Sequence, residues 1–494
     1  MEMNTEKKIY ITKTFKSLFI IFGLLGLASC DDYFDINNNP NQISTPTPEL
    51  TLTSAQIDLA NFMQADYNTA AAFWVRYYTQ AGNVAGFDPR DQYNIQSGDN
   101  AYQNDFTGIY SGPLQDLEIT IENAKEINDL NTVAVAQILK AYAFQSLVDM
   151  FDKVPYFDAL NINEEVSPKY DDGSVIYDDL LDRVDEAIEN INPQASINGD
   201  VIFQGNMRLW LKFANSLKLK IYMRQSEARP DIAESGVASL AIAEFLEIGE
   251  DAEVKFDQTN PSNRHPDGVN NIAVQSFTAA SATSIDTLLK SNDPRIDIFW
   301  RKPVDAADDN PDRNHRGVTQ GRGNEIAGSQ AGLSYYSARG NFLIGATAAH
   351  PFFSAAEIYF LLAEASERGW YPGDAEELYT MGVRASFART GAPGVDAYLT
   401  NEAPYPTAAP FEEKLEAIMY QKWVALTGRQ SIEMWAEWRR TGYPDRDIID
   451  ISPISILPAG EFPLRFPVTQ REINLNVNAP SPSPIYTPVW WDVD

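Results

Sequence analysis

Cysteine is almost absent: Cys30 is the single one in 494 residues. No disulfide can form within the chain, and no thiolate metal site or redox pair can be assembled. Histidine is nearly as scarce. His265, His315 and His350 lie far apart in sequence, with none at the spacing of a metal-binding helix, which argues against a zinc site. Long apolar runs are missing too. The longest, Leu18–Ala28 (LFIIFGLLGLA), falls short of the roughly 20 residues a membrane-spanning helix needs. Basic side chains are outnumbered, 38 against 69. Without residues 1–29, which hold four Lys and two Glu, 34 basic and 67 acidic residues remain, a net −33. Such a surface repels nucleic acid and anionic lipid. Nucleophile-elbow, zinc-protease, phosphate-loop and CxxC patterns are all lacking. A glycosidase needs only two carboxylates, which 67 acids would conceal.

What is present begins with the position of that cysteine. Lys7, Lys8, Lys13 and Lys16 precede the apolar run, and Leu27-Ala28-Ser29-Cys30 closes it. The arrangement has the charge and length of an export signal. Its last four residues resemble the lipobox of bacterial lipoproteins, which implies cleavage before Cys30 and acylation of its thiol. Two or more acyl chains make a stable rather than a marginal anchor. Asp31-Asp32, followed by YFDINNNPNQ, resembles a surface-export signal of Bacteroidota lipoproteins. The expected organisation is a signal peptide over 1–29, an acylated tether over 30–50, and a single domain over 51–494. That domain divides into a helical scaffold (51–256 and 354–442), a loop-rich insertion (257–353) and an irregular C-terminal segment (443–494).

Helical periodicity dominates the scaffold. Thr53-x-x-Gln56 reads as a capping box opening one long helix to about Gln80. Further helices are expected at 114–127, 132–151, 177–191 and 233–247, with Asn206 capping one that runs to Met223. Ser354-x-x-Glu357 opens a helix ending at Gly369. The turn Trp370-Tyr371-Pro372-Gly373 leads into its partner, Asp374 to Thr390, and Ala356, Ala363 and Ala365 allow close contact. This pair resembles a tetratricopeptide hairpin. Residues 411–427 and 431–440 form another pair, broken at Gly428.

Residues 82–105 and 257–353 differ. The first sets aromatic rings among polar residues, and the second, rich in Gly, Asn, Pro, Asp and Arg, is longer than a structureless connection normally is, which marks it as functional. Aromatic rings on such loops can stack on apolar sugar faces while polar neighbours bond hydroxyls. Tyr93, Tyr102, Trp300, Tyr335 and Tyr336 are therefore the candidate ligand residues. The competing reading is that Phe87, Tyr93 and Tyr102 tuck back onto the helices. Asp305, Asp308, Asp309 and Asp312 form an acidic cluster that calcium could occupy, but without the spacing of an EF-hand. A solvated loop is the better reading, so no cofactor is expected. Arg313, Arg316 and Arg322 give the same region a local basic character. Arg295 and Trp423 read as structural.

Several stretches together resemble the SusD/RagB family of Bacteroidota outer-membrane lipoproteins. They are AQILKAYAFQSLVDMFDKVPYFDAL (136–160), the 356–387 hairpin, QKWVALTGRQSIEMWAEWRRTGYP (421–444), SNDPRID (291–297) and LRFPVTQREINLNVNAP (464–480). The resemblance covers nearly all of the chain after Cys30. It implies a mainly α fold, with a scaffold of tetratricopeptide-like helix pairs on which long irregular loops form a ligand face. It further implies an outward-facing, lipid-anchored protein of the outer membrane. Such a protein captures a glycan and acts as the lid of a SusC-like TonB-dependent transporter without performing chemistry. The open alternatives are the same role with peptides, a glycan-active enzyme, and a helical scaffold that binds only proteins.

Overall fold

The computed structural model describes residues 46–82, 88–161, 165–257, 277–304, 314–323 and 334–493. Cys30, Phe87, His265, the four-aspartate cluster and Arg313 fall outside these residues. The first half is helical: α1 (Pro48–Phe62), α2 (Asp66–Trp74), strand β1 (Tyr78–Gln80), α3 (Asn100–Ile109), α4 (Gln115–Glu126), α5 (Leu130–Phe151), α6 (Gly173–Asn190), α7 (Met207–Arg224) and α8 (Pro230–Ser239). A two-residue strand pair, β2 (Val154–Pro155) with β3 (Tyr170–Asp171), follows α5. Next come β4 (Ala252–Val254), β5 (Thr278–Ala280), α9 (Ala282–Lys290), β6 (Trp300–Arg301), β7 (Ala338–Arg339) and β8 (His350–Phe353). The remaining long helices are α10 (Ala355–Glu367), α11 (Ala375–Thr390), α12 (Phe411–Ala425) and α13 (Ser431–Thr441). The fold is mainly α, with successive helices packed as hairpins: α4 on α5, α5 on α6, α7 on α8, α10 on α11 and α12 on α13.

Helix α5 is central because it is apolar on every side, and nearly all of its residues are buried. Alanines at 134, 136, 141 and 143 let neighbouring helices approach. The Asp129 carboxylate caps its N-terminus by accepting from the Thr132 amide at 3.2 Å. Asn206 caps α7, accepting from the Arg208 and Leu209 amides. Asn68 of α2 caps a different helix. Its Oδ1 accepts from the Ser431 amide at 2.9 Å, and its Nδ2 donates to the Gly428 carbonyl at 3.3 Å. Gly428 itself has φ +67°, and a Cβ there would stand 2.2 Å from the Tyr78 hydroxyl, so glycine is required on both counts.

The expected helix from 53 to 80 is instead α1, α2 and β1. Arg76 takes φ +66° and ends the second helix. Its guanidinium donates to the Asp450 carbonyl, 3.1 Å from Nε. Beyond it, Tyr77, Tyr78 and Thr79 favour an extended backbone, and β1 pairs antiparallel with β5 (Tyr78↔Ala280, Gln80↔Thr278). Thr53 and Gln56 lie inside α1 rather than at its start. Thr53 Oγ1 donates to the Gly199 carbonyl at 2.7 Å, and Gln56 Nε2 donates to Asp200 at 3.0 Å. The last expected helix of the first half, 233–247, is instead Pro230–Ser239, with Pro230 at its first turn. Ser354 does cap α10, accepting from the Glu357 amide at 3.3 Å. The Glu357 carboxylate does not reach back to close the box, because Lys220 holds it at 3.2 Å.

That lysine belongs to a buried ion network joining α5, α7, α10, α12 and α13. Lys220 Nζ is 2.6 Å from Glu433. Arg224 bonds Asp149 at 3.0 Å, Glu433 at 2.7 Å and also Glu437. Lys422 lies 2.9 Å from Glu437. Arg440 reaches Glu364 at 2.6 Å and Glu437 at 2.8 Å. All these side chains are buried. Burial alone would raise the pKa of Glu433 and Glu437. At Glu433 the cations of Arg224, Lys220 and Lys422 outweigh it and hold the carboxyl at about 2. At Glu437 the same balance, led by Arg440, holds it well below the carboxylate range.

Two predictions follow from that geometry. Arg440→Ala removes a buried cation shared by Glu364, which keeps Arg368, and Glu437, which keeps Lys422 and Arg224, and is expected to lower stability by about 3 kcal/mol in urea unfolding, whereas Arg384→Ala, which breaks an exposed pair with Asp396, should move the midpoint little. The depressed pKa of Glu433 supplies stability that is complete above the unfolded carboxyl value. That contribution is lost as pH falls toward 2, so urea midpoints measured from pH 5 downward should drop, and the Glu433→Gln variant should flatten the slope.

Candidate functional site

The described parts of the loop-rich insertion (277–304, 314–323 and 334–353) are knitted into a platform. Val318 exchanges backbone bonds with Ala280 and Ala282, its amide donating at 2.9 Å and its carbonyl accepting at 2.7 Å. The Ala280 amide donates to the Ser337 carbonyl at 3.0 Å, and the Ser337 amide to the Arg316 carbonyl at 2.8 Å. Segments 77–82, 278–282, 316–320 and 335–339 therefore form one surface on the edge of the β1–β5 pair. The platform is bolted to the helices by Arg295, fully buried, which bonds Asp293, Ser386 of α11 (2.8 Å) and Gln421 of α12 (2.8 Å). Trp423 of α12 donates its indole N–H to the Val75 carbonyl at 2.9 Å, fixing the approach to β1.

Asp91 is the hub under this surface. Its carboxylate accepts from Thr79 Oγ1 at 2.9 Å, from the Gln80 amide at 3.2 Å and from the Gln320 side-chain amide. Burial raises its pKa to about 7, although those donors pull it down. His315 forms a second strut. Its Nε2 lies 2.7 Å from Asp297 and its Nδ1 3.3 Å from Ser337 Oγ. Burial lowers its pKa against the pull of Asp297, which fits a neutral ring donating to Asp297 and accepting from Ser337. The three residue types match a hydrolytic triad, but the geometry does not. Ser337 is fully buried, and its Oγ accepts from the Arg316 amide at 3.1 Å, so the hydroxyl is enclosed by backbone.

The five aromatic candidates are not gathered on one face. Trp300 is fully buried, edge-on to Tyr78 at 5.9 Å, with Arg339 opposite it across β6–β7. Tyr335 is buried under Arg316, whose guanidinium carbon is 4.2 Å from the ring centre, and it meets Tyr336 edge-on at 5.0 Å. Tyr336 keeps part of its ring accessible and packs on Ala81, Ala279 and Val318. Tyr93 and Tyr102 differ from the loop rings expected of them. Tyr93 is buried against Phe462, its hydroxyl accepting from the Ser452 amide at 2.9 Å, and burial pushes its pKa up to about 12. Tyr102 is not on a loop at all. Asp99 caps α3, which carries the ring into a cluster with Tyr67 (5.2 Å) and Phe466 (5.9 Å). The physical reason is shared: the C-terminal segment, remote in sequence, supplies the apolar partners that draw both rings inward. Asp91 and Arg339 carry no local signal in the sequence, and His315 stands out there only as one of three scattered histidines. Among the described residues no group of three or more His, Cys, Asp or Glu could hold a metal ion, and no helix is long and apolar enough to cross a membrane.

Set beside known proteins, this architecture has clear relatives. The SusD-like family described as "Starch-binding associating with outer membrane" matches residues 40–463, and the chain belongs to it. Among solved structures, a chitin-binding protein superposes with a TM-score of 0.75 at 24% identity, over 91% of this chain and 100% of its own. A chitin-binding SusD homologue from Flavobacterium johnsoniae gives 0.74 at 22%, covering 90% and 99%. A SusD homologue from Bacteroides uniformis gives 0.74 at 23%, again covering 90% and 99%. None of the curated proteins matches the chain.

Asp91 offers a direct test of the platform. A carboxyl whose folded pKa is raised contributes stability that is present at low pH and lost as pH rises through about 7. Between pH 6 and 8 the native protein should lose about 1.4 kcal/mol relative to Asp91→Asn, measured by urea unfolding of both.

Proposed function

We propose that this chain is a surface lipoprotein that captures a glycan and closes as the lid over a SusC-like TonB-dependent transporter of the outer membrane. Family membership over residues 40–463 is the observation that carries the reading. The chitin-binding proteins among the solved relatives favour a glycan over a peptide as the cargo. In this reading residues 1–29 are removed, Cys30 is acylated, residues 30–50 tether the domain that follows, and the chain performs no chemistry. The enclosed Ser337 favours binding over hydrolysis. The glycan lies on the platform, with Tyr336 stacking on a sugar face and Tyr335 bracing that ring edge-on. No cofactor takes part.

The test begins with purification from native membranes through a tag on this protein. A TonB-dependent barrel in near-equal amount supports the lid, and its absence under gentle detergent overturns it. Cys30→Ala should move the protein from the membrane to the soluble fraction. Chitin oligosaccharides are the first glycan to titrate. Tyr336→Ala is expected to weaken binding by about 0.5–1.5 kcal/mol, a few-fold to tenfold in Kd, at a temperature where circular dichroism shows the variant still folded. Release of shortened oligosaccharides would replace the binding reading with an enzymatic one.

A further inference from the structure

Away from the platform, the molecule carries an open groove of about 580 Å³ between α3, the segment after β2, and residues 472–476. That size suits a ligand or a few side chains of a peptide. Its walls are apolar: Phe106, Tyr110, Leu160, Val166 and Leu475. Val166 is 79% exposed and Leu475 71%, and Val477, 88% exposed, follows directly in sequence. Large apolar side chains left in water together mark an interaction surface. The groove is also prebuilt. Asn476 Nδ2 donates to the Pro168 carbonyl at 2.9 Å, Asn478 Nδ2 donates to the Ser167 carbonyl at 2.5 Å, and the Tyr170 hydroxyl donates to Glu472 at 2.9 Å, so both rims are tied. On the floor, Tyr110 donates to the Pro155 carbonyl at 2.9 Å.

The charge on this groove is one-sided. Glu165 and Glu472 line it, and no Lys or Arg does. Arg471 touches only its Thr107 end, at 3.5 Å. Two carboxylates on an apolar wall recognise a cation carried between apolar groups. A sugar would find rings at Phe106 and Tyr110 and polar groups at Thr107, Ser111, Gln115 and Asn476, but a neutral glycan leaves the charges of Glu165 and Glu472 unmatched, which a cationic partner does not. A second copy fits poorly as well. A two-fold contact would set Glu165 and Glu472 against themselves, on a chain of net charge −31.

We propose that this groove docks a polypeptide segment of the transporter in which a lysine or arginine is flanked by apolar side chains. The identity of the partner rests on the functional reading above, whereas the chemistry of the segment rests on the groove alone. The test has two arms. In the first, the full lipidated protein carries a photo-crosslinking p-benzoylphenylalanine at Val166, or at the 96%-exposed Ile242 as control, in native membranes. The expected result is at least tenfold more adduct with the barrel from position 166, mapping to a segment with a basic residue inside an apolar stretch. Equal adducts from both positions, or a mapped segment without a basic residue, would overturn the proposal.

In the second arm, the purified protein is titrated with the acetylated, amidated hexapeptide Leu-Lys-Leu-Leu-Lys-Leu and with its Glu-for-Lys counterpart. The Lys peptide should bind at least tenfold more tightly. The Val166→Asp/Leu475→Asp variant should lose that binding while glycan affinity and thermal midpoint stay at the native level. Unchanged peptide binding by the variant would overturn the proposal, and so would absence of binding by the native protein. If no barrel is recovered, the functional reading fails and the peptide arm alone decides the groove.

Discussion

The buried ion network is the constraint on which the architecture depends. Five helices that adjoin only partly in sequence are held in register by Lys220, Arg224, Lys422 and Arg440 against Asp149, Glu357, Glu364, Glu433 and Glu437. Apolar contacts alone tolerate sliding of one helix on another, because hydrophobic attraction has no direction. A fork of charged hydrogen bonds does not tolerate it, since a shift of one helical turn would leave several charges buried and unpaired. The network therefore selects one arrangement of the helix pairs among those that would bury similar apolar area. A second core cluster around Phe360, Val383, Ile418 and Met419 then fills the space between α10, α11 and α12.

The platform inherits its position from that scaffold. Arg295 and Trp423 carry the alignment of α11 and α12 outward into the insertion, and Asp91 and His315 stiffen what they reach. Rigid struts under a surface lower the ordering cost of binding, because the contacting groups are already in place. The same logic separates platform from groove. One is held by polar struts with aromatic rings at its edge, and the other is an apolar trough with carboxylates, so the two surfaces suit chemically different partners.

Much of this was readable from residues alone, and the failures have a common cause. Helix α5, the Asn206 cap and the α10–α11 hairpin depend on neighbours within a few turns, and local pattern describes them well. The division of 53–80 depends on Arg76 meeting Asp450, and the burial of Tyr93 and Tyr102 on Ser452, Phe462 and Phe466. These partners lie hundreds of residues away, so no window of sequence contains them. The ion network did leave a trace. Lys220 and Arg224, and Glu433 and Glu437, recur at one-turn spacing inside otherwise buried helices, where isolated charges are unaffordable without partners. Which cation meets which anion was not legible.

Trp491 gives the fold an order in time. Its indole N–H donates to Asp149 at 2.8 Å, and its ring lies 4.7 Å from the guanidinium carbon of Arg439, which stands 3.6 Å over Trp435. The heart of α5 is thus completed by a residue that the ribosome adds more than three hundred positions later. Until then Asp149 lacks one of its donors and Arg439 lacks one of its flanking rings. A chain that stopped short of Trp491 would leave that indole-to-carboxylate bond unmade and the last turn of α5 without its cover.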